Sequence, residues 1–432
     1  MRTALSCSVL TYCVRKRLVL LSREKLKQQQ WRNQSGGSFL ELQHYIQNKP
    51  GLYGPLGTEL RRNVLQQWWT AVVSSKPNVF GISARHSSEC LDTLKIVDKK
   101  ALDELENLPE NELREGLARI SQHSQGLRTG LLHGALEQYV PSLQLINRKL
   151  PFGLAETGVC FRPEPALSDT IGCSSEVTET SLVWFCSPRT SSQWLDYWAR
   201  QRLQWWRKFA LGPSDFSMCD VMSEELREGA SRGVKVLYRF PSGSETLETL
   251  WSLGDTELLR RHHGSRAKLQ CKDGRKSIVP HILLVSANMD RGVLAFLSNS
   301  LQHVQKVDSK QRLHQRKVLK LHPTLAPVKI ALDMGRGSTS ELRQVCEGLL
   351  QEFLEAGISA WPGYMDTAPS SLESLHAKYD EMGVLFTVMI SESTLENGLL
   401  LVRNRDTTIR ETMHISEIRQ FLLKYISAAE NI

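Results

Sequence analysis

One stretch, Pro151 to Glu164, PFGLAETGVCFRPE, constrains this chain more than any other. Its apolar half predicts a strand over Pro151–Phe161. The strand passes through a glycine and delivers Arg162 and Glu164 at its far end. A guanidinium held at such a fixed point offers a phosphate a planar fork, which a lysine point charge does not imitate. Four residues, FRPE, recur by chance, so the weight of the reading lies in what accompanies them.

A chain of 432 residues is expected to form two or three domains with sizeable cores. Its hydrophobic content of 41% and charged content of 23% are those of a globular protein. No apolar run reaches the ~20 residues that a membrane span requires. The nine cysteines are scattered and form no CxxC pair, so they are expected to be reduced core thiols, with no metal site and no disulfide framework. The formal charge of +8 sits almost wholly at the N-terminus. Residues 1–35 hold Arg2, Arg15, Lys16, Arg17, Arg23, Lys25, Lys27 and Arg32 against the single acid Glu24. A basic, acid-poor leader with Ser and Leu between its charges predicts mitochondrial import. The body that follows is close to neutral.

Beyond the leader, Tyr53–Trp69 opens on a Pro/Gly turn and predicts a helix with Leu56, Leu60, Val64 and Trp68 on one face. Leu91–Leu150 reads as mostly helical, broken at Asn107-Leu108-Pro109, and forms an expected helical insertion over about residues 75–150. Strands are predicted at Leu182–Cys186 and Ile278–Ser286, and helices at Gln193–Phe209 and Arg291–Leu301. The tryptophans of Gln193–Phe209 are expected to be core anchors. From Leu325 onward β and α elements alternate: strands at Val328–Leu332, Ile358–Trp361, Val384–Ile390 and Leu399–Val402, and helices at Ser340–Ala356, Ser371–Asp380 and Ile415–Ala428. Such alternation predicts a parallel or mixed sheet covered by helices.

The FRPE segment resembles motif 2 of the class II aminoacyl-tRNA synthetases, of the glycyl type. Four further segments resemble that family in the same order. Tyr53–Trp69 is similar to its motif 1 region. Trp194–Trp206 is similar to one of its helices, and Pro280–Gly292, PHILLVSANMDRG, to motif 3. Lys317–Lys329, Tyr379-Asp380-Glu381 and Val402–Thr408 resemble its anticodon-binding domain. The resemblance implies an α/β (α+β) fold: an antiparallel-sheet domain over residues 36–320 with the helical insertion as a dimerisation element, then an anticodon-binding-like mixed α/β domain over 321–432. It also implies that Arg162, Glu164 and Arg291 line a nucleotide pocket. Where the family places carboxylates for the ammonium of glycine, this chain has Ser181, Val183 and Leu284. Asn288 stands where the family has a glycine. A small cation does not leave water without anions close by. The pocket is therefore read as vestigial, with no catalytic residue and no cofactor.

A mitochondrially targeted, emptied chain of this kind resembles the family of accessory subunits of the mitochondrial replicative DNA polymerase. LLHGALEQYV, SLVWFCSPRTSSQWLDYW and DEMGVLFTV carry that likeness. It implies a homodimeric processivity factor that binds the catalytic polymerase subunit and double-stranded DNA at the primer–template, in the matrix nucleoid. Two basic clusters are the candidate DNA contacts, because phosphate is met without sequence reading. One is Arg260, Arg261, Arg266, Lys268, Lys272, Arg275 and Lys276. The other is Lys306, Lys310, Arg312, Arg316, Lys317 and Lys320. The C-terminal unit is the implied docking surface for the catalytic subunit, with Gly398, Arg403, Arg405 and Asp406 as candidates. Glu396-Asn397-Gly398 is expected to be a hairpin turn. The alternatives are a working mitochondrial glycyl-tRNA synthetase and a tRNA- or RNA-binding derivative of one.

Overall fold

The computed structural model describes residues 42, 44–46, 53–84, 87–88, 95–106, 109, 112–123, 125–161, 176–262, 266–307, 313–335, 340–366 and 371–431. The leader and Arg162, Glu164, Lys310 and Arg312 lie outside the described residues, and for Lys306 only the backbone is described.

Seven strands form the larger sheet: β1 (Val79–Gly81), β2 (Phe152–Phe161), β3 (Glu176–Cys186), β4 (Phe216–Asp220), β5 (Arg232–Phe240), β6 (Gly243–Gly254) and β7 (His281–Asn288). Their order is β1-β2-β3-β7-β6-β5-β4. β1 runs parallel to β2, and the other neighbours are antiparallel. Every residue of β3 after Glu176 is buried, because β3 lies mid-sheet and both of its faces are covered. Alternate residues therefore serve two cores. Ala155, Leu182, Trp184, Leu283 and Val285 point to one core, and Leu154, Val183, Phe185, Ile282 and Leu284 to the other.

The first core is roofed by helices α1 (Pro55–Trp69), α3 (Ser191–Lys208) and α4 (Met289–Ser300). Proline begins α1, where its missing N–H is not needed, and Leu56, Leu60, Val64 and Trp68 form its buried stripe. Trp198, Trp205 and Trp206 of α3 are buried, as the periodicity predicts. Between α3 and the sheet, Arg202 Nε donates to Glu248 at 2.8 Å and the Trp206 indole N–H donates to the same carboxylate at 2.6 Å. Gly292 lets α4 cross the Trp206 ring, since a Cβ there would lie 2.5 Å from the indole.

The second core is roofed by α2 (Leu132–Leu145), through Leu132, Leu136, Tyr139 and Leu143. This differs from the expectation that the whole 75–150 region is an insertion. Helices Lys99–Glu106 and Leu113–His123 and a small three-stranded sheet (Ser87–Ser88, Lys95–Ile96, Gln125–Leu127) form the excursion, but α2 belongs to the main sheet. A helical stripe reads the same whichever surface it is going to meet.

A hairpin, β8 (Leu301–Val307) and β9 (Leu313–Leu319), leads to the second sheet. That sheet comprises β10 (Ile330–Met334), β11 (Ala360–Trp361), β12 (Phe386–Ile390), β13 (Leu399–Asn404) and β14 (Arg410–His414), in the order β11-β10-β12-β13-β14. β10 runs parallel to β11 and β12, and the last two strands are antiparallel additions. Helices α5 (Ser340–Glu355), α6 (Leu372–Glu381), α7 (Glu392–Asn397) and α8 (Ile418–Asn431) complete the unit. Glu396-Asn397-Gly398 is not a hairpin turn. It is the end of α7, and Gly398 caps it at φ +72° in the left-handed region. The positive φ that the sequence implied is real, but it serves a helix C-terminus.

The units share one continuous core. Tyr45 OH donates to Met382 O at 2.8 Å, and Asn63 Nδ2 donates to Leu325 O at 3.1 Å. Arg405 donates to the carbonyls of Gly383 and Leu321 at 2.9 Å each. Among the described residues no helix is long and apolar enough to cross a membrane.

Candidate functional site

The sheet face under α2 carries a cavity of about 340 Å³. Glu179, Ser286, Thr249, Leu284 and Trp251 form its floor, Thr129–His133 a wall, and Arg227 its lip. Strand register fixes this set. Ser181 pairs with Ser286 and Val183 with Leu284, while Thr249 and Trp251 stand on the far side of β7. All sit on one face because pairing partners point the same way. Glu179 accepts from Ser286 Oγ in the floor. The neighbouring Glu156 is buried against Arg128, with Nη1 to Oε1 at 2.8 Å, and also accepts from the Ala84 N–H at 3.0 Å. Thr180 and Ser181 are buried and their hydroxyls make no hydrogen bond.

The residues at the positions that the glycyl resemblance reserves for carboxylates thus stand together. Val183 and Leu284 are a cross-strand apolar pair, and Ser181 is buried beside them. The Asn288 side chain caps α4 by accepting the Arg291 N–H at 2.9 Å. Arg291 is half-buried and donates to Thr246 O at 2.7 Å, with Glu245 at 3.7 Å. Arg162 and Glu164, the expected nucleotide-pocket residues, fall outside the described residues.

The first basic cluster divides in two. Arg260 lies 3.6 Å from Glu257, Arg266 lies 3.5 Å from Asp255, and Arg261 pairs closely with Glu137. The rest sits on a short antiparallel ribbon, Cys271–Asp273 with Lys276–Ile278, turned at Gly274 with φ +62°. Lys272, Arg275 and Lys276 are exposed, and Lys268 is exposed just before the ribbon. Asp273 is turned aside and accepts from Ser187 Oγ at 2.7 Å. Underneath, Leu269 and Cys271 are buried, and Tyr139 of α2 donates to Leu269 O at 2.7 Å. Burial pushes the Tyr139 phenol and the Cys271 thiol above their ordinary pKa values, so the ribbon's anchor is neutral. Sequence reasoning missed two neighbours. Asn147 and Arg148 end α2 with φ of +51° and +57°, which lays Lys149 alongside Lys272 as a parallel bridge. Arg148 then donates to Lys268 O at 3.2 Å and Gln270 O at 2.9 Å. The triplet Asn147-Arg148-Lys149 was visible in the chain; its contact some 120 residues away was not.

In the second cluster, Arg316 does not present its charge to solvent. Its guanidinium pairs closely with Asp380 of α6, which also holds Arg403 by two hydrogen bonds of 2.8 and 3.1 Å. Lys317 is half-buried. Among the docking candidates, Arg403 and Arg405 are 5% and 2% exposed, so they are core braces rather than contact groups. Asp406 is exposed and accepts from Arg405 Nε at 2.8 Å. This part of the second unit also exposes Leu395, Leu399, Leu401 and Ile409, among charged neighbours such as Glu396, Arg410 and Glu411.

Residues 325–425 match the anticodon binding domain family. The chain is 50% identical to the mitochondrial DNA polymerase subunit gamma-2 of Xenopus laevis over 387 residues, covering 88% of this chain and 82% of that one. It is 27% identical over 430 residues to the glycine–tRNA ligase of Thermobifida fusca, covering 87% and 92%. Among solved structures, the prolyl-tRNA synthetase of Cryptosporidium parvum superposes with a TM-score of 0.60 at 13% identity, over 92% of this chain and 78% of that one. The fold is that of a class II tRNA synthetase with its anticodon-binding domain.

Proposed function

The chain belongs to the family of accessory subunits of mitochondrial DNA polymerase gamma, and from that premise we propose that it acts as a non-catalytic processivity subunit. It forms a homodimer, binds the catalytic subunit and duplex DNA in the matrix nucleoid, and holds the polymerase on the primer–template. The mechanism is a tether. A second contact with DNA raises the effective concentration of the primer end and slows dissociation, while the chemical step is unchanged.

The observation that carries this reading is the pairing of Val183 with Leu284 on the floor of the old active-site face. An ammonium group brought against that pair meets hydrocarbon where the glycyl family offers carboxylates, and its desolvation there goes uncompensated. The buried acids of this face are already engaged: Glu156 is held by Arg128, and Glu179 in the floor accepts from Ser286 Oγ. A chain with this floor does not activate glycine. Its remaining functional features are surfaces: a basic ribbon suited to phosphate and the exposed leucines of the second unit, suited to a protein partner.

The test is primer extension by the catalytic subunit, with and without this protein, over a range of salt. Longer products per binding event, persisting at salt where the catalytic subunit alone falls off, support the reading. No change in product length, together with glycine-dependent ATP–pyrophosphate exchange, overturns it in favour of a synthetase.

A further inference from the structure

Resting on the reading of this chain as a duplex-DNA binder, we infer that the phosphate contact is made by a composite site in which Lys149 joins Lys272, Arg275 and Lys276, with Arg148 as its positioning residue. The arginines 260, 261 and 266 are not part of it.

Three observations separate the two halves of the cluster. Arg260, Arg261 and Arg266 each have a carboxylate within ion-pair distance: Glu257, Glu137 and Asp255. A phosphate that recruits them must compete with those partners, and the gain from counterion release is correspondingly smaller. The ribbon half is different. Its single acid, Asp273, is held by Ser187, and its cations project from a two-stranded element whose backbone is paired. The bridge from Lys149 to Lys272 then places two lysines from distant parts of the chain side by side, next to the Gly274–Arg275 turn. A row of cations on a stiff ribbon suits the regular charge spacing of a duplex backbone, which is read without base contact.

Arg148 acts differently. Its guanidinium is spent on the carbonyls of Lys268 and Gln270, while its own carbonyl accepts the Lys272 N–H at 2.7 Å. It is a staple between the end of α2 and the ribbon. Both bonds leave one nitrogen, Nη1, which the planar guanidinium holds in a fixed direction at the end of its longer stem; a lysine keeps the charge on a shorter stem with a freely rotating ammonium.

The experiment is equilibrium binding of the full-length protein to a 40-bp duplex by fluorescence anisotropy, from low to moderate salt. The triple variant Lys149→Gln/Lys272→Gln/Lys276→Gln is compared with Arg260→Gln/Arg261→Gln/Arg266→Gln. Each lost phosphate contact reduces the slope of log K against log salt by ~0.9. The ribbon triple is expected to lower the slope by ~2–3 and weaken binding at least tenfold, while the arginine triple leaves the slope within ~1 of wild type. Arg148→Lys is expected to weaken binding although its net charge is unchanged, and Arg148→Gln to weaken it no further than Arg148→Lys. Equal slopes in the two triples, or full retention by Arg148→Lys, would overturn the inference while leaving duplex binding in place. A wild-type protein that shows no salt-dependent duplex binding at all would instead remove the reading beneath it. Melting temperatures within 2 °C of wild type, required of each variant, exclude misfolding as the cause.

Discussion

Glu156 and Gly158 lie two residues apart on β2, and their roles depend on a third residue, Arg128, that the sequence places far away. Arg128 enters the sheet face, donates to Val159 O at 2.7 Å and pairs with Glu156. Gly158 makes room for it, since a Cβ there would lie 1.9 Å from the guanidinium. Gly158→Ala is therefore expected to displace Arg128 and leave a buried carboxylate unpaired, at a cost of ~3–5 kcal/mol in urea unfolding. Ser181→Ala, on the adjoining strand, removes a buried hydroxyl that has no partner. It should leave stability unchanged or raise it by up to ~1 kcal/mol. If both substitutions cost the same, the assignment of a paired and an unpaired polar group to this face is wrong.

At the scale of single elements, the short helix α7 shows why a turn signal can be right in kind and wrong in place. Its capping box, Ser391 with Thr394, starts it, and Gly398 ends it in the left-handed region. Any other residue is strained there, and a Cβ would also meet the His414 ring at 2.6 Å. Gly398→Glu is expected to cost ~1–2 kcal/mol and to loosen the exposed strip of Leu395, Leu399 and Leu401. Its affinity for the catalytic subunit, measured by titration calorimetry, should fall, while Gly398→Asn, which tolerates positive φ but brings the same Cβ to His414, should lose less. Binding by the folded Glu variant as tight as that of wild type would detach α7 from docking. β5 shows the opposite case. Val234, Val236, Tyr238 and Phe240 alternate inward, so RGVKVLYRF carries the period of a strand, although none is predicted there above. By contrast, β3 has no visible period, because both its faces are buried.

For the molecule as a whole, the joint between the two units holds a group whose charge responds to acid. His322 sits in it, with its ring edge-on to Phe209 at 5.2 Å and its Nδ1 2.8 Å from Thr324 Oγ1. Burial, with smaller contributions from Lys208 and Lys329, lowers its pKa from 6.5 to about 4. The folded state thus holds the neutral ring, and the unfolded chain binds the proton more readily. Stability from this group is fully present above about pH 6.5 and is lost as pH falls towards 4. His322→Gln should flatten the fall in melting temperature over that window relative to wild type; an unchanged profile would place the acid sensitivity elsewhere.

Much of this architecture was legible because local patterns survive folding. The stripe of Leu56, Leu60, Val64 and Trp68, the tryptophans of α3, the β–α alternation after Leu325 and the substitutions at Ser181, Val183 and Leu284 are properties of short segments. They were enough to give a class II synthetase-like fold. The sequence alone could not say which charges are spent. Arg316, Arg403 and Arg405 look like any surface arginines until Asp380 and the carbonyls of Leu321 and Gly383 are brought to them, and Lys149 looks isolated until it lies beside Lys272. A basic residue is a contact group or a brace according to what lies within a few ångströms of it. Those neighbours are supplied by strand register and by contacts across tens of residues, and for Lys149 across more than a hundred, which no local pattern encodes.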